Sequence, residues 1–192
     1  IRDLWNSTLD IESMTDEERS SRVAQTIFLN KTCFNGLFRL NRSGGFNVPT
    51  GRYKNPSFPS AESLKEVNQA LKGVIIHHAS YEKCLEWVDN KSFVYFDPPY
   101  RPLSKTSSFI SYSKGDFNDE NQTELASLTK ELHKKKVLFL LSNSDPKNTV
   151  KDDEFFDELY SDFKIDRVFA SRAINSNPDR RGKISELLIK NY

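Results

Sequence analysis

An apolar run over residues 93–96 ends in the tetrapeptide Asp97-Pro98-Pro99-Tyr100, and this junction constrains the fold more than any other feature of the chain. A short continuous apolar run predicts a buried strand. The two prolines fix φ and remove two backbone donors, so the strand must end in a rigid, extended rim with free carbonyls. The sequence therefore predicts two acceptors, the Asp97 carboxylate and the Pro98 carbonyl, beside the aromatic face of Tyr100.

Such a rim suits a planar substrate that carries an amino group. Its predicted position also favours a site, because open α/β sheets bind ligands at the carboxyl ends of their strands. The alternative is a strand that ends in an ordinary proline turn with Tyr100 as packing, since four-residue motifs also arise by chance.

Helix-like and strand-like segments alternate along the chain, and this order predicts an α/β fold with a parallel sheet. Thr15 and Glu18 form the pattern of a capping box before one helix. Helices are predicted over residues 16–29, 60–71, 81–88, 119–134 and the carboxylate-rich stretch 152–166. Strands are predicted over residues 74–78, 93–96, 137–141, 165–169 and 186–190. Loops are predicted over residues 33–59 with a hairpin at 43–45, over a lid-like stretch at 101–118, and over 175–183.

The composition excludes several classes of protein. The net charge of the 192 residues is +1, so no global excess of positive charge indicates a nucleic-acid partner. No stretch has the length and apolarity of a membrane span, and no signal-peptide pattern is present. Cys33 and Cys84 match no metal or redox spacing, and we expect reduced cysteines in a cytoplasmic protein. No metal site is predicted, because His77 and His78 would point to opposite faces of a strand.

Residues 19–61, the basic segment, contain no Asp or Glu but carry seven basic residues with six aromatic residues between them. A basic, aromatic surface without carboxylates is what contact with a phosphate backbone requires. The alternative, a basic loop whose aromatic residues form a local core, is equally compatible with the composition.

Several blocks, in order, resemble the Dam-type (D12 class) DNA adenine methyltransferases. They are residues 30–39 with Phe-Asn-Gly-Leu, residues 45–56 with Phe-Asn-Val-Pro, residues 96–100 with Phe-Asp-Pro-Pro-Tyr, and residues 181–189. The similarity extends from about residue 22 to residue 192. Cytosine amino-methyltransferases usually carry Ser in place of Asp97 and protein glutamine methyltransferases carry Asn, so both classes resemble the chain less.

The resemblance implies an α/β fold: an incomplete Rossmann-like methyltransferase sheet over residues 73–192, and a small, mostly helical and loop target-recognition subdomain over residues 1–72. It implies S-adenosylmethionine as methyl donor and double-stranded DNA, with the site GATC, as substrate. Asp97, Pro98, Pro99 and Tyr100 would be catalytic, with Tyr100 stacked on a flipped adenine and Asp97 also next to the cofactor. The implied DNA-binding residues are Phe34, Asn35, Leu37, Arg39, Asn47, Pro49, Arg52 and Tyr53.

One departure from the family pattern affects the cofactor site. The family's Phe-x-Gly-x-Gly loop and the acidic residue after its second strand are absent, and no Gly-x-Gly occurs in the sequence. The resemblance thus implies the C-terminal part of a longer protein, with a complementary N-terminal segment elsewhere. The alternative function is a truncated or inactive fragment that only binds DNA. The expected location is the cytoplasm, at a bacterial nucleoid or on phage DNA, within or outside a restriction–modification system.

Overall fold

The computed structural model describes residues 1–7, 12–102, 117–171 and 183–192. Two compact units divide the chain, Ile1–Ile76 and His77–Tyr192. The division lies a few residues beyond the predicted boundary at residue 72. All but the last residue of the basic loop predicted at 175–183, and most of the lid predicted at 101–118, lie outside the described residues.

The described residues of the first unit form three α-helices, α1 (Arg2–Ser7), α2 (Asp16–Thr32) and α3 (Ala61–Ala70). The predicted capping box is present: the Glu18 amide donates to Thr15 Oγ1, and the Thr15 amide donates to Glu18 Oε2 at 2.8 Å. Ser60 caps α3 by accepting from the Ser63 amide. These side chains satisfy amides that a helix start leaves unpaired, which explains why both helices begin where the sequence predicts.

An irregular segment between α2 and α3 folds back on itself. Isolated bridges join Cys33 to Thr50 and Leu40 to Phe46. The turn between the second pair is the predicted hairpin, in which Asn41 Oδ1 accepts from the amides of Ser43 and Gly45. The small core of this unit consists of Trp5, Leu29, Cys33, Phe46 and Val48. The segment is therefore ordered by turn chemistry and a few buried apolar side chains rather than by long strands.

The second unit is built on a four-stranded sheet of order β1-β2-β4-β3. Its helices are α4 (Cys84–Trp87), α5 (Asp119–Lys134) and α6 (Phe155–Leu159); its strands are β1 (Phe93–Phe96), β2 (Leu138–Ser144), β3 (Lys164–Ser171) and β4 (Lys183–Lys190). The α/β class is confirmed, but the expectation of a parallel sheet is wrong. Among the described strands only β1 and β2 are parallel, and β4 runs antiparallel to both β2 and β3. A helix crossover makes β1 and β2 parallel, whereas β3 and β4 follow each other with a shorter connection.

One face of the sheet carries the core. Phe139, Leu141, Leu187 and Ile189 are fully buried, and they pack with the inward face of α5 and with Phe156 and Tyr160. The opposite face is open: Phe93, Tyr95 and Leu138 are each about half exposed among the described residues. Because side chains alternate along a strand, β1 and β2 contribute residues both to the core, including Phe96, and to this open face.

The predicted strand at residues 74–78 is wrong. These residues have no regular structure, and Ile75 and Ile76 are 78% and 79% exposed. A strand needs a neighbour for its backbone groups, and no strand of the described part of the chain pairs with this run. Its β-branched residues are therefore exposed instead of buried. The predicted helices at 81–88 and 119–134 are confirmed, the first as a short 3-10 turn followed by α4.

The predicted acidic helix at residues 152–166 is also wrong in extent. Only Phe155–Leu159 is helical, and β3 already begins at Lys164. The pairing of β3 with β4 requires extended backbone from Lys164 onward, and this outweighs the local helical spacing of the apolar residues. Several of its carboxylates are ion-paired with basic side chains rather than simply solvated.

We expect Phe139→Ala to lower the free energy of unfolding by about 3–5 kcal/mol, because it removes a fully buried ring that meets Phe163 edge-on. Urea denaturation of the two proteins measures the difference. Phe169→Ala, at a position that is 76% exposed on the same sheet, is the matched control and should change stability by at most about 0.5 kcal/mol. Equal losses would contradict this placement of the core.

Candidate functional site

The tetrapeptide Asp97–Tyr100, called the rim, directly follows β1 at the carboxyl end of the strand. Asp97 and Pro99 are exposed, and Pro98 and Tyr100 are partly buried. β2 is parallel to β1 and ends at the same edge of the sheet, in Ser142-Asn143-Ser144. The rim thus lies beside a cluster of polar residues at the carboxyl ends of two parallel strands.

Two fully buried amides hold the far end of the rim. Asn143 Oδ1 accepts from the Arg101 amide at 3.1 Å, and Asn143 Nδ2 donates to Gln122 Oε1 at 3.1 Å. Gln122 Nε2 in turn donates to the Pro99 carbonyl at 3.1 Å. The Ser144 hydroxyl donates to the Arg101 carbonyl at 2.7 Å. Because buried polar groups are costly when unpaired, this network specifies one position for the rim.

Asp97, the first residue of the rim, contacts Ser142. The Ser142 hydroxyl lies 3.1 Å from Asp97 Oδ1 and 3.0 Å from the hydroxyl of Tyr95. Burial raises the pKa of Tyr100 above its ordinary value; a hydrogen bond with Ser142 opposes this rise, and the negative charges of Glu186 and Asp97 add to it. Tyr100 is therefore a neutral phenol at neutral pH, suited to stacking and hydrogen bonding.

An ion-pair cluster fixes the chain just after the rim. The Arg101 guanidinium contacts Asp119 at 2.8 and 3.0 Å and Asp153 at 2.8 Å, and it lies over the Phe155 ring at 4.3 Å. Burial of Asp153 acts to raise its pKa, but the hydrogen bond and charge of Arg101, together with the Phe155 amide, outweigh it. The pKa of Asp153 therefore lies below its usual value.

In the first unit, the predicted DNA-binding residues lie exposed on the basic segment. The Phe34 amide donates to the Pro49 carbonyl at 2.8 Å, which joins the Phe-Asn-Gly-Leu and Phe-Asn-Val-Pro blocks. Asn35 and Gly36 adopt left-handed backbone conformations, with φ of 54° and 62°. This tight turn presents the side chains of Phe34 and Leu37 outward, where both are about half exposed.

The second contact between these blocks positions a basic side chain. Arg39 Nε donates to Asn47 Oδ1 at 2.8 Å, and Arg39 Nη2 donates to the Asn47 carbonyl at 3.3 Å. Asn47 points outward because its neighbours Phe46 and Val48 are buried, as the alternation of an extended chain requires. Arg39 is thereby held in one orientation with its remaining N–H groups exposed.

The structure thus brings together two pairs of predicted residues, Phe34 with Pro49 and Arg39 with Asn47. Arg52 and Tyr53 follow Gly51 on the same segment, and within the described residues no hydrogen bond joins them to these pairs. A side chain at Gly51 would collide with the Cys33 carbonyl at 2.9 Å and with the Tyr53 ring at 2.4 Å. Only glycine therefore allows the backbone at residue 51 to approach the Cys33 carbonyl this closely.

Sequence reasoning missed the residues that support the rim, namely Gln122, Ser142, Asn143 and Ser144. A signal was present, since three polar residues continue a buried apolar strand and a glutamine lies on the apolar face of α5. In the described part of the chain, no group of three or more His, Cys, Asp or Glu side chains could hold a metal ion. None of the described helices is long and apolar enough to span a membrane.

We expect Arg101→Gln to lower the free energy of unfolding by about 1–3 kcal/mol at pH 7, because it leaves the partly buried Asp153 carboxylate, as well as the exposed Asp119 carboxylate, without a cation. The folded-state pKa of Asp153 is lowered, so its stabilising contribution is complete above the unfolded pKa and is lost as the pH falls through the folded value. The difference in the free energy of unfolding between Arg101→Gln and the wild type should therefore become smaller at acid pH, below about 4.

Urea unfolding at neutral and acid pH tests this expectation. The control is Lys130→Gln, which removes an exposed pair with Asp162 and should change stability by less than about 1 kcal/mol. A loss in Arg101→Gln that does not depend on pH would contradict the assigned role of the ion pair.

Comparisons with known proteins identify the family of this chain. Residues 1–174 match the family model of the D12 class N6 adenine-specific DNA methyltransferases. The chain is 49% identical over its whole length to the type II methyltransferase M.MjaIII of Methanocaldococcus jannaschii, of which it covers 63%. It is 38% identical to the type II methyltransferase M1.LlaDCHI of Lactococcus lactis, with 99% of this chain and 65% of that protein aligned.

A DNA adenine methylase of Escherichia coli K12 is 38% identical over 167 residues, which are 87% of this chain and 57% of that protein. The chain therefore spans less than two thirds of the length of each of these relatives. Together with the family model, they confirm the resemblance that the motifs indicate: the chain belongs to the D12 class N6 adenine-specific DNA methyltransferase family.

Proposed function

We propose that this chain carries the DNA-reading and catalytic parts of an enzyme that methylates the exocyclic amine of adenine, in the site GATC, with S-adenosylmethionine as donor. The observation that carries the proposal is the geometry of the rim. Asp97 is exposed beside Tyr100, one of its oxygens contacts Ser142, and the other has no hydrogen bond within the described residues. The Pro98 carbonyl is likewise without a hydrogen bond there.

These two acceptors match the two hydrogens of an adenine amine. The lone pair of that amine is delocalised into the ring, which makes the nitrogen a weak nucleophile. Hydrogen bonds to Asp97 and the Pro98 carbonyl would favour a pyramidal nitrogen with its lone pair directed away from the ring plane. Tyr100 would stack on the base, which must leave the duplex to reach the rim, at a cost of about a few kcal/mol.

S-adenosylmethionine, when bound, would supply an electrophilic methyl group on a positively charged sulfur. Asp97 and the Pro98 carbonyl would orient the amine that accepts this group, so no covalent enzyme intermediate would be needed. Among the described residues, Asp97 is the only candidate contact for the donor. Good alignment of the two reactants can supply on the order of 7–11 kcal/mol of the barrier reduction.

The first unit would read the DNA. Arg39, oriented by Asn47, suits a bidentate contact with a guanine in the major groove. Leu37 and Pro49 would make apolar contacts to bases, and Phe34 would wedge into the stack beside Asn35, which would approach the base left unpaired. Arg52 and Tyr53 would lie against the DNA nearby. We thus assign target recognition to residues 1–72 and catalysis to residues 73–192.

A second candidate function concerns the 192 residues by themselves, which would bind DNA without methyl transfer. The observation that favours it is the open face of the sheet (Phe93, Tyr95 and Leu138), together with exposed Ile75 and Ile76. We propose that a complementary N-terminal segment covers these residues and supplies the missing glycine loop. The setting we propose is the cytoplasm of a bacterium, at the nucleoid or on phage DNA, with or without a restriction partner.

This second proposal has a direct test in the thermal unfolding of the 192-residue chain. We expect a low midpoint and binding of a fluorescent dye to exposed apolar surface, because several large apolar side chains face solvent. A midpoint well above about 65 °C without dye binding would contradict the proposal that a further segment covers this face.

We expect Asp97→Ala in the intact protein to abolish transfer of labelled methyl to a GATC duplex while the Kd for that duplex changes less than about threefold. The variant removes the acceptor for the amine and leaves every residue of the basic segment unchanged. Transfer is measured with tritiated S-adenosylmethionine and binding by fluorescence anisotropy. Turnover at the wild-type rate would disprove the catalytic assignment.

We expect Arg39→Ala to relax sequence choice at one base pair by about 1–3 kcal/mol, because it removes the proposed bidentate contact. Binding constants are measured for GATC duplexes with each single substitution. Arg42→Ala, an exposed arginine of the adjacent turn, is the matched control and should weaken binding of all duplexes equally. If Arg39→Ala also weakens all duplexes equally, the side chain contacts phosphate instead.

A further inference from the structure

We infer that Ser142 is a positioning residue for Asp97 and that Tyr95 acts through it, as a chain of two hydrogen bonds that ends on the catalytic carboxylate. The inference rests on the proposed function, because it concerns the orientation of the group that would accept the substrate amine. It adds two side chains that the motif Asp97–Tyr100 does not contain.

The register of the sheet brings these residues together. β1 and β2 are parallel, and Phe96 pairs with Leu141, so the next residues along each strand, Asp97 and Ser142, lie side by side. Tyr95 lies on the same face of the sheet as Ser142 because side chains alternate along a strand. The contact is therefore a consequence of strand pairing rather than of a flexible loop.

Charge fixes the direction of both hydrogen bonds. The Ser142 hydroxyl has one hydrogen and several neighbouring oxygens: Asp97 Oδ1 at 3.1 Å, the Tyr95 hydroxyl at 3.0 Å, the Phe96 carbonyl at 3.5 Å and the Tyr100 hydroxyl. An ionised carboxylate can only accept, and it is the strongest acceptor among them. Ser142 therefore donates to Asp97, and Tyr95 donates to Ser142.

The consequence is a carboxylate held in one rotation. Oδ1 is engaged by a hydroxyl that is only 4% exposed, whereas Oδ2 has no hydrogen bond in the part of the chain that the structure describes. Because Oδ1 is fixed, Oδ2 points in a defined direction and is available to the substrate amine. Small errors in such positioning cost large factors in rate, because the reacting groups must be aligned before the chemical step.

Another buried hydroxyl in the same unit forms a different kind of hydrogen bond from that between Ser142 and Asp97. Thr129 on α5 is fully buried, and its hydroxyl donates to the Ala126 carbonyl of its own helix at 2.8 Å. The Ser142 hydroxyl instead contacts the side chains of Asp97 and Tyr95 at 3.1 and 3.0 Å, and the Phe96 carbonyl is further away at 3.5 Å. Thr129 therefore provides a matched control for loss of a buried hydroxyl.

The test uses the intact protein with tritiated S-adenosylmethionine and a GATC duplex under single-turnover conditions. We expect Ser142→Ala to lower the rate of methyl transfer about 10–100-fold, the usual range for a group that orients a catalytic residue, with the duplex Kd changed less than about threefold. Ser142→Thr keeps the hydroxyl and should retain most of the rate. Ser142→Cys keeps the size but donates weakly, and it should lose rate even if Ser142→Ala does not fold.

Tyr95→Phe should lower the rate by a smaller factor, and the double variant Ser142→Ala/Tyr95→Phe should be no slower than Ser142→Ala alone, because Tyr95 acts through the serine. Thr129→Val should leave the rate unchanged. Wild-type rates in both Ser142→Ala and Ser142→Cys would overturn the inference. A rate loss in the double variant equal to the product of the two single losses would also overturn it. An inactive wild-type protein would instead overturn the proposed function, so the two failures are distinguishable.

Discussion

The candidate site depends on the hydrogen bonds that the buried Asn143 side chain forms. Its oxygen accepts from the Arg101 amide and its nitrogen donates to Gln122, which in turn donates to the Pro99 carbonyl. One buried amide thus connects β2, α5 and the rim after β1. Since prolines cannot donate to a neighbouring strand, a proline-rich rim needs acceptors and donors from side chains to fix its position. The residue that follows the rim, Arg101, is held by its own ion pairs.

The same principle of preorganisation applies separately in the first unit. There, Arg39 is oriented by Asn47, and Asn47 is directed outward because Phe46 and Val48 are buried in a small core. A side chain that is already ordered loses less conformational entropy on binding. In both units, therefore, an exposed functional group is held by a polar partner, and in the second unit these partners are buried residues outside the motif.

Much of this could be predicted from the sequence, for local reasons. Caps at Thr15 and Ser60 set the helix starts, Asn41 and Gly44 set the hairpin, and the apolar run at Phe93–Phe96 predicted its strand. The errors have non-local causes. Ile75 and Ile76 have strand propensity, but no strand in the described part of the chain pairs with them. Residues from Lys164 onward pair with β4 instead of continuing the helix. Gln122 and Ser142 could not be assigned because their roles depend on register between strands and helices distant in sequence.

The most direct test of the central claim, that the two units together methylate adenine in one site, is the position of the transferred methyl. The intact protein is incubated with tritiated S-adenosylmethionine and either a GATC duplex or a duplex of the same composition with the site scrambled, and the labelled base is identified by chromatography after digestion. The account predicts label in N6-methyladenine from the GATC duplex alone. Label in cytosine, or equal labelling of both duplexes, would contradict it.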